Sequence, residues 1–191
     1  MKPSGRKTPE SRRHSGDQVS FDEVDRKILA LLQERDRPIA LLAEEVGLSP
    51  TPCWRRVRKL EETGVIRSRV ALVDHKRAGV PMIIFIGVTA PRHEMSWLNQ
   101  FRELIENIPE VVEAYRLTGS TDYILKVMVP DIQAFDLVYK SMIERLEFSQ
   151  INSSIAMEEL KFTTAVPTTY MTPPVPSSEL SASDRTNPAT G

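Results

Sequence analysis

Apolar residues recur along this chain in two rhythms, and the rhythm changes about a third of the way along. Up to residue 66 the spacing is helical. In FDEVDRKILALLQERD (21–36), Val24, Ile28, Leu31 and Leu32 share one face and Asp22 stands where an N-cap belongs. In PIALLAEEVG (38–47), Ile39, Leu42, Ala43 and Val46 fall at i, i+3, i+4 and i+7, and Gly47 ends the pattern. The stretch GLSPTPCWRRVRKLEETGVI (47–66) opens on two prolines and continues with Cys53, Val57 and Leu60 as a narrow apolar stripe. Its helix starts either at Ser49 with Pro50 in the first helical position, or at Thr51 before Pro52, and Gly64 caps its far end. Two short helices joined by a glycine turn make a helix-turn-helix, whose second helix presents its N-terminal residues to base edges. The prolines would hold that reading end rigid. An ordinary three-helix bundle has the same periodicity.

From residue 65 short alternating segments appear between helical ones. VIRSRVALVD (65–74) alternates as a strand, HKRAGVP (75–81) reads as a hinge, and MIIFIGVTA (82–90) is a β-branched run. SWLNQFRELIENI (96–108) is a helix capped by Ser96, with Leu98, Phe101, Leu104, Ile105 and Ile108 inward. VVEAYRLTG (111–119) and DYILKVMV (122–129) flank a tight turn as a hairpin. DIQAFDLVYKSMIERL (131–146) is a helix capped by Asp131, with Ile132, Phe135, Val138, Tyr139 and Met142 inward, and INSSIAMEELKFT (151–163) is a last strand. The order β-α-β-β-α-β is ferredoxin-like, an antiparallel sheet with both helices on one face. The fold class is therefore α/β in the α+β sense, a winged-helix-like helix-turn-helix followed by a ferredoxin-like domain. The uncovered sheet face predicts self-association. The expected divisions are a basic arm over 1–20, the helix-turn-helix over 21–66, a connecting strand and hinge over 67–80, the ferredoxin-like domain over 81–166 and a tail over 167–191. Five of the fourteen prolines lie in that tail, among serines and threonines, which predicts disorder.

Charge sharpens the division of labour. Residues 47–69 hold six basic side chains (Arg55, Arg56, Arg58, Lys59, Arg67 and Arg69) against Glu61 and Glu62, while residues 80–162 hold seven basic and twelve acidic ones. The formal charge of −1 thus hides a basic patch, the usual footprint of phosphate contact, on an acidic remainder. Lys2, Arg6, Lys7, Arg12 and Arg13 add a basic arm suited to DNA backbone. No apolar run reaches membrane-spanning length, no secretory signal is visible, and the single cysteine, Cys53, suits a reducing cytoplasm. Cys53 lies on the apolar side of its helix, as a small core residue would. His14, His75 and His93 have no metal-ligand spacing, and no phosphate loop or nucleophile elbow appears, so no enzyme, metal or cofactor is expected.

Three stretches, DRKIL (25–29), LAEEVGLSPTPCWRRVRKLEETGVI (42–66) and LTGSTDYIL (117–125), make the chain resemble the Lrp/AsnC family of transcriptional regulators from about Phe21 to Pro167. The resemblance implies a cytoplasmic DNA-binding regulator of amino-acid metabolism that recognises double-stranded operator DNA. It implies dimers paired through ferredoxin-like domains, octamers built from them, and a small effector, usually an amino acid, held between those domains. DNA contacts then fall to Ser49, Thr51, Trp54, Arg55, Arg56, Arg58 and Lys59. The family's Gly-x-x-Asp effector loop maps onto Gly119, Ser120, Thr121, Asp122 and Tyr123, with Ser120 where many members are acidic. Gly119 and Asp122 serve a plain hairpin turn equally well. The stretch NSSIAMEELKFTTAVP (152–167) is similar to the cysteine-responsive branch, whereas branched-chain amino acids are the generic expectation. The alternative reading is an amino-acid-binding oligomeric sensor or scaffold that does not touch DNA; the basic face of 51–59 argues against it.

Overall fold

The first helix begins with two aspartates that cap each other. Asp22 Oδ1 accepts the Asp25 N–H at 2.8 Å and Asp25 Oδ2 accepts the Asp22 N–H at 3.2 Å, a reciprocal box that satisfies two orphan donors of helix α1, Glu23–Glu34. Helix α2 spans Ile39–Val46 and ends on Gly47 at φ 72°, a left-handed conformation that glycine adopts freely. The Leu48 N–H reaches back to the Ala43 carbonyl at 2.8 Å. Helix α3, Pro50–Glu62, has Pro50 and Pro52 in its first turn. Ser49 precedes it as the N-cap residue by position, but its side chain makes no capping hydrogen bond. Thr63 ends the helix, and Gly64 follows at φ 75°.

This is a computed structural model, and it describes residues 20–171. The basic arm, with His14, and the tail beyond Met171 fall outside the described residues. The chain divides into two compact units: Ala71–Phe162, and the residues up to Val70 together with those from Thr163 on. In the N-terminal unit Phe21, Ile28, Leu29, Leu42, Ala43, Cys53, Val57 and Leu60 form a buried cluster. Leu31 and Leu32, expected inside, are only partly buried, and Leu29 takes the deeper place.

The second unit runs β1 (Met82–Thr89), α4 (Met95–Glu106), β2 (Val111–Arg116), β3 (Tyr123–Val129), α5 (Ile132–Arg145) and β4 (Gln150–Ile155). The antiparallel sheet has the order β2-β3-β1-β4, as the ferredoxin-like expectation requires. Ile84, Ile86 and Val88 of β1 are buried opposite Val127, Leu125 and Tyr123 of β3. Trp97 and Phe101 of α4 stack on each other with centroids 5.0 Å apart, and Trp97 Nε1 donates to the Glu147 carbonyl at 2.8 Å. Asp131 caps α5 by accepting the Ala134 N–H.

Several expectations change. The N-cap residue of α4 is Glu94, without a side-chain bond, so Ser96 lies inside the helix. Ile132 is exposed rather than inward, and Trp97 is the core residue of α4 that helical spacing had not singled out. No strand forms over 65–74, where Val70, Leu72 and Val73 stay exposed, because alternation does not supply a hydrogen-bonding neighbour. Strand β4 stops at Ile155 rather than running to residue 163: the Ala156 N–H still reaches the Ile83 carbonyl, and only Met82 of β1 lies beyond it.

Beyond the apolar cluster they share, the Arg56 guanidinium ties α3 to the start of α1. Arg56 Nη1 lies 2.7 Å from Asp22 Oδ2 and 2.7 Å from Asp25 Oδ1, the latter on a buried side chain. Burial works to raise the Asp22 pKa, but the hydrogen bond from the Asp25 amide and the Arg56 charge outweigh it and hold the carboxyl below its usual value. We expect Arg56→Met to destabilise the chain by about 1–3 kcal/mol, since it strands a buried carboxylate. The depressed carboxyl contributes fully above the unfolded aspartate value, near ~4, and that contribution is lost as pH falls through the folded value. Urea unfolding of both proteins between neutral and acid pH checks this. The stability gap should narrow in acid, and a gap independent of pH would contradict the assignment.

Candidate DNA interface and effector turn

Helix α3 buries Cys53, Val57 and Leu60 and leaves Thr51, Trp54, Arg55, Arg58 and Lys59 exposed. Trp54 is 47% exposed, unusual for so large a ring, and the Arg58 guanidinium sits 5.5 Å from its centroid. Arg58 also pairs with Glu62 one turn on, at 2.9 Å, an exposed i,i+4 pair of small energetic weight. Arg69 is held by Asp36 and Glu61. Arg55, Lys59 and Arg67 have no carboxylate partner among the described residues. Arg55 and Lys59 line an open cleft of about 440 Å³ with Ser20, Asp22, Asp25 and Arg56. Half of the basic stretch is therefore free to meet phosphate, and half is spoken for inside the unit.

Arg56 needs revision on this geometry. The resemblance groups it with the DNA contacts, but its Nη1 is held by both Asp22 and Asp25 inside the unit. Arg37, which periodicity had passed over, is buried in the turn between α1 and α2. It donates to the Leu31 carbonyl and pairs with Glu34 at 2.8 Å and Glu45 at 3.3 Å, the latter without hydrogen-bond geometry at Nε. Burial pushes the Cys53 thiol above its usual pKa, with nearby Arg56 opposing weakly, so this sulfur serves as a small apolar filler.

The turn between β2 and β3 is stapled to the end of β1. Gly119 has φ 124°, a region that side-chain-bearing residues rarely adopt. The Leu117 N–H donates to the Asp122 carbonyl at 2.7 Å, and the Asp122 N–H donates to the Val88 carbonyl at 3.0 Å. Asp122 Oδ2 accepts the Ala90 N–H at 2.9 Å, and Thr89 Oγ1 donates to the Ser120 carbonyl at 3.4 Å. A side chain at Gly87 would press on the Thr121 methyl at 3.3 Å, so Gly87 makes room for the turn. The second carboxylate oxygen, Asp122 Oδ1, lies 4.0 Å from the exposed His93 ring. Gly119, Ser120, Thr121 and Asp122 thus stand together at one end of the sheet.

Tyr123 does not join them. Strand alternation turns it to the helix face opposite Val88, where its ring packs 4.9 Å from Phe101 and is 8% exposed. His93 is the neighbour that no spacing rule could find, because it reaches Asp122 from the loop before α4. Among the described residues no three His, Cys, Asp or Glu side chains converge as a metal site would need, and no helix is long and apolar enough to cross a membrane.

A helix-turn-helix with an exposed aromatic and basic face, and a separate ferredoxin-like unit with a glycine-aspartate turn, define a DNA-binding regulator with a ligand-sensing domain. Residues 21–67 match the winged helix-turn-helix DNA-binding family and residues 83–166 the Lrp/AsnC ligand binding domain. The chain is 40% identical over 148 residues to the glutamate uptake regulatory protein of Zymomonas mobilis, covering 77% of this chain and 90% of that one. It is similar to the crystal structure of an AsnC family transcriptional regulator from Agrobacterium tumefaciens, with 48% identity and TM-score 0.77, over 79% of this chain and 99% of the other. A transcriptional regulator from Neisseria meningitidis, crystallised as its L-Met complex, matches with 33% identity and TM-score 0.74, over 78% and 97% of the two chains. The chain belongs to the Lrp/AsnC family of transcriptional regulators.

Proposed function

We propose that this regulator reads operator DNA with the first two turns of α3 and answers to an amino acid bound at the Gly119–Asp122 turn. One observation carries the DNA half: Arg55 and Lys59 stand exposed, without a carboxylate partner among the described residues, on a helix whose opposite edge is buried and which Arg56 ties to α1. Thr51, Trp54 and Arg55 then face base edges, with Ser49 at the approach, while Lys59 and Arg58 meet phosphates. Arg58 leaves Glu62 at little cost. The alternative of a sensor without DNA binding gives that exposed face no partner.

In the effector half, Asp122 Oδ1 lies 4.0 Å from the exposed His93 ring and suits an α-ammonium group, while Gly119 permits close backbone approach. The L-Met complex of the Neisseria relative supports a compact, largely apolar amino acid, within which cysteine and the branched-chain set remain the first candidates. We place the protein in the cytoplasm, where operator DNA lies. Dimers form through the open sheet face, where Phe85 and Tyr115 are exposed, and octamers follow from the family pattern.

Arg55→Ala should cost roughly 1–3 kcal/mol at the protein's own upstream DNA and relax its sequence preference, as expected of a residue that reads a guanine. Lys59→Ala should weaken all DNA alike and lower the salt slope by about one. Retardation assays across a salt series separate the two, and unchanged affinity in both variants would remove α3 from the interface.

Asp122→Asn isolates the effector role better than alanine, because the amide oxygen still accepts the Ala90 N–H. Calorimetric titration with L-Met, L-Cys and L-Leu should show binding by the wild type and roughly tenfold or greater weakening in the variant, through loss of the charge-assisted bond. Equal affinities would assign Asp122 to the turn alone.

A further inference from the structure

Gln33, near the end of α1, grips the backbone of a residue 133 positions away. The Val166 N–H donates to Gln33 Oε1 at 2.6 Å, and Gln33 Nε2 donates to the Val166 carbonyl at 3.1 Å. One amide side chain thus satisfies both polar groups of a single backbone unit, as a neighbouring strand would. The segment is stiffened on both sides of this point. The Ala165 N–H bonds the Thr163 hydroxyl at 3.1 Å, and Pro167 fixes its own φ before the 3-10 turn Thr168–Tyr170. That turn packs against α1. Met171, closing it through a bond to the Thr168 carbonyl, lies half-buried against the cluster that contains Phe21, Ile28 and Leu29. The winged-helix match ends at residue 67 and the ligand-domain match at 166, so the turn Thr168–Tyr170 and Met171 lie beyond both.

We propose that residues 163–171 are a strap that completes the DNA-binding unit, stabilising α1 and, through the Asp22–Asp25–Arg56 lock at its other end, the roll of α3. The contacts are of two independent kinds, a paired amide–backbone bond and apolar burial of Met171, and both fall on α1 or the cluster it anchors. The strap is reached only by way of the whole sheet unit, so the helix-turn-helix is fastened to the rest of the chain by both of its connections, at Val70–Ala71 and at Phe162–Thr163.

Hydrogen exchange by mass spectrometry on the full chain and three variants tests this without reference to any ligand or operator. One variant ends after Met171, one ends after Thr164, and the third is Gln33→Ala combined with Met171→Ala. In the chain ending at Thr164 and in the double variant, amides of α1 and α3 should exchange roughly tenfold faster, as local opening becomes easier. The chain ending at Met171 keeps the strap and should exchange as the full chain does. Peptides from β1 and β3 should be unchanged in all. Unaltered exchange in α1 for both strap variants would overturn the proposal. So would equal acceleration in the chain ending at Met171, or acceleration spread evenly into the sheet.

Discussion

The presentation of α3 depends on one guanidinium. The apolar stripe of that helix is narrow, only Cys53, Val57 and Leu60 among the buried residues, and three side chains on one edge leave a helix free to roll. Arg56 removes that freedom, because its two carboxylate partners belong to the capping box of α1 and are themselves fixed by backbone amides. An aspartate as buried as Asp25 needs a cation close by, so the same contact that sets the roll also makes the burial of Asp25 tolerable. The cation spent on this lock is one that the proposed phosphate surface does without. Its neighbours Arg55 and Lys59 gain in return a defined direction, which a solvated lysine or arginine on an unfixed helix would lack.

A similar economy governs the second unit. The two oxygens of Asp122 have separate surroundings: one accepts the Ala90 amide and ties the hairpin turn to the end of β1, while the other faces His93. The choice between a turn residue and a ligand residue is therefore not exclusive. Removing the side chain would disturb both the turn and the ligand contact proposed for it, whereas removing only its charge would disturb the proposed contact alone. Gly87 and Gly119 meet different demands in the same place, the first by leaving room for Thr121 and the second by adopting a positive φ.

Much of this was readable in the sequence because helices and strands announce their buried side through local spacing. Cys53, Val57 and Leu60, the alternation of β1 and β3, the cap at Asp131 and the glycine ends of α2 and α3 are all decided within a few residues. What escaped was decided at long range. Arg56 meets Asp25 across 31 residues, Gln33 meets Val166 across 133, and His93 approaches Asp122 from another loop. Tyr123 follows the same rule: a motif places it beside the Gly119–Asp122 turn, but the strand that starts there turns its ring into the core. The segment 163–171 was masked by its composition, since prolines and threonines give no periodic signal even where a single methionine and a backbone grip suffice to dock it.

The expected strand over 65–74, and the part beyond Ile155 of the strand expected over 151–163, bear on the self-association proposed for this chain. Alternation records which side of a segment is apolar; it does not record whether a neighbour exists to complete a ladder. Val70, Leu72, Val73, Met157 and Leu160 remain between 64% and 101% exposed, and among the described residues no strand pairs with them. An edge or extended segment that carries apolar side chains without a hydrogen-bonding partner is the arrangement that invites another chain. The sheet itself leaves Phe85 and Tyr115 on its uncovered side, around the Glu113–Lys126 pair at 3.1 Å. Apolar residues ring a charged pair that a second copy would have to meet with complementary polarity. In the self-association proposed, an interface would gain apolar area from the first set of residues and register from the second.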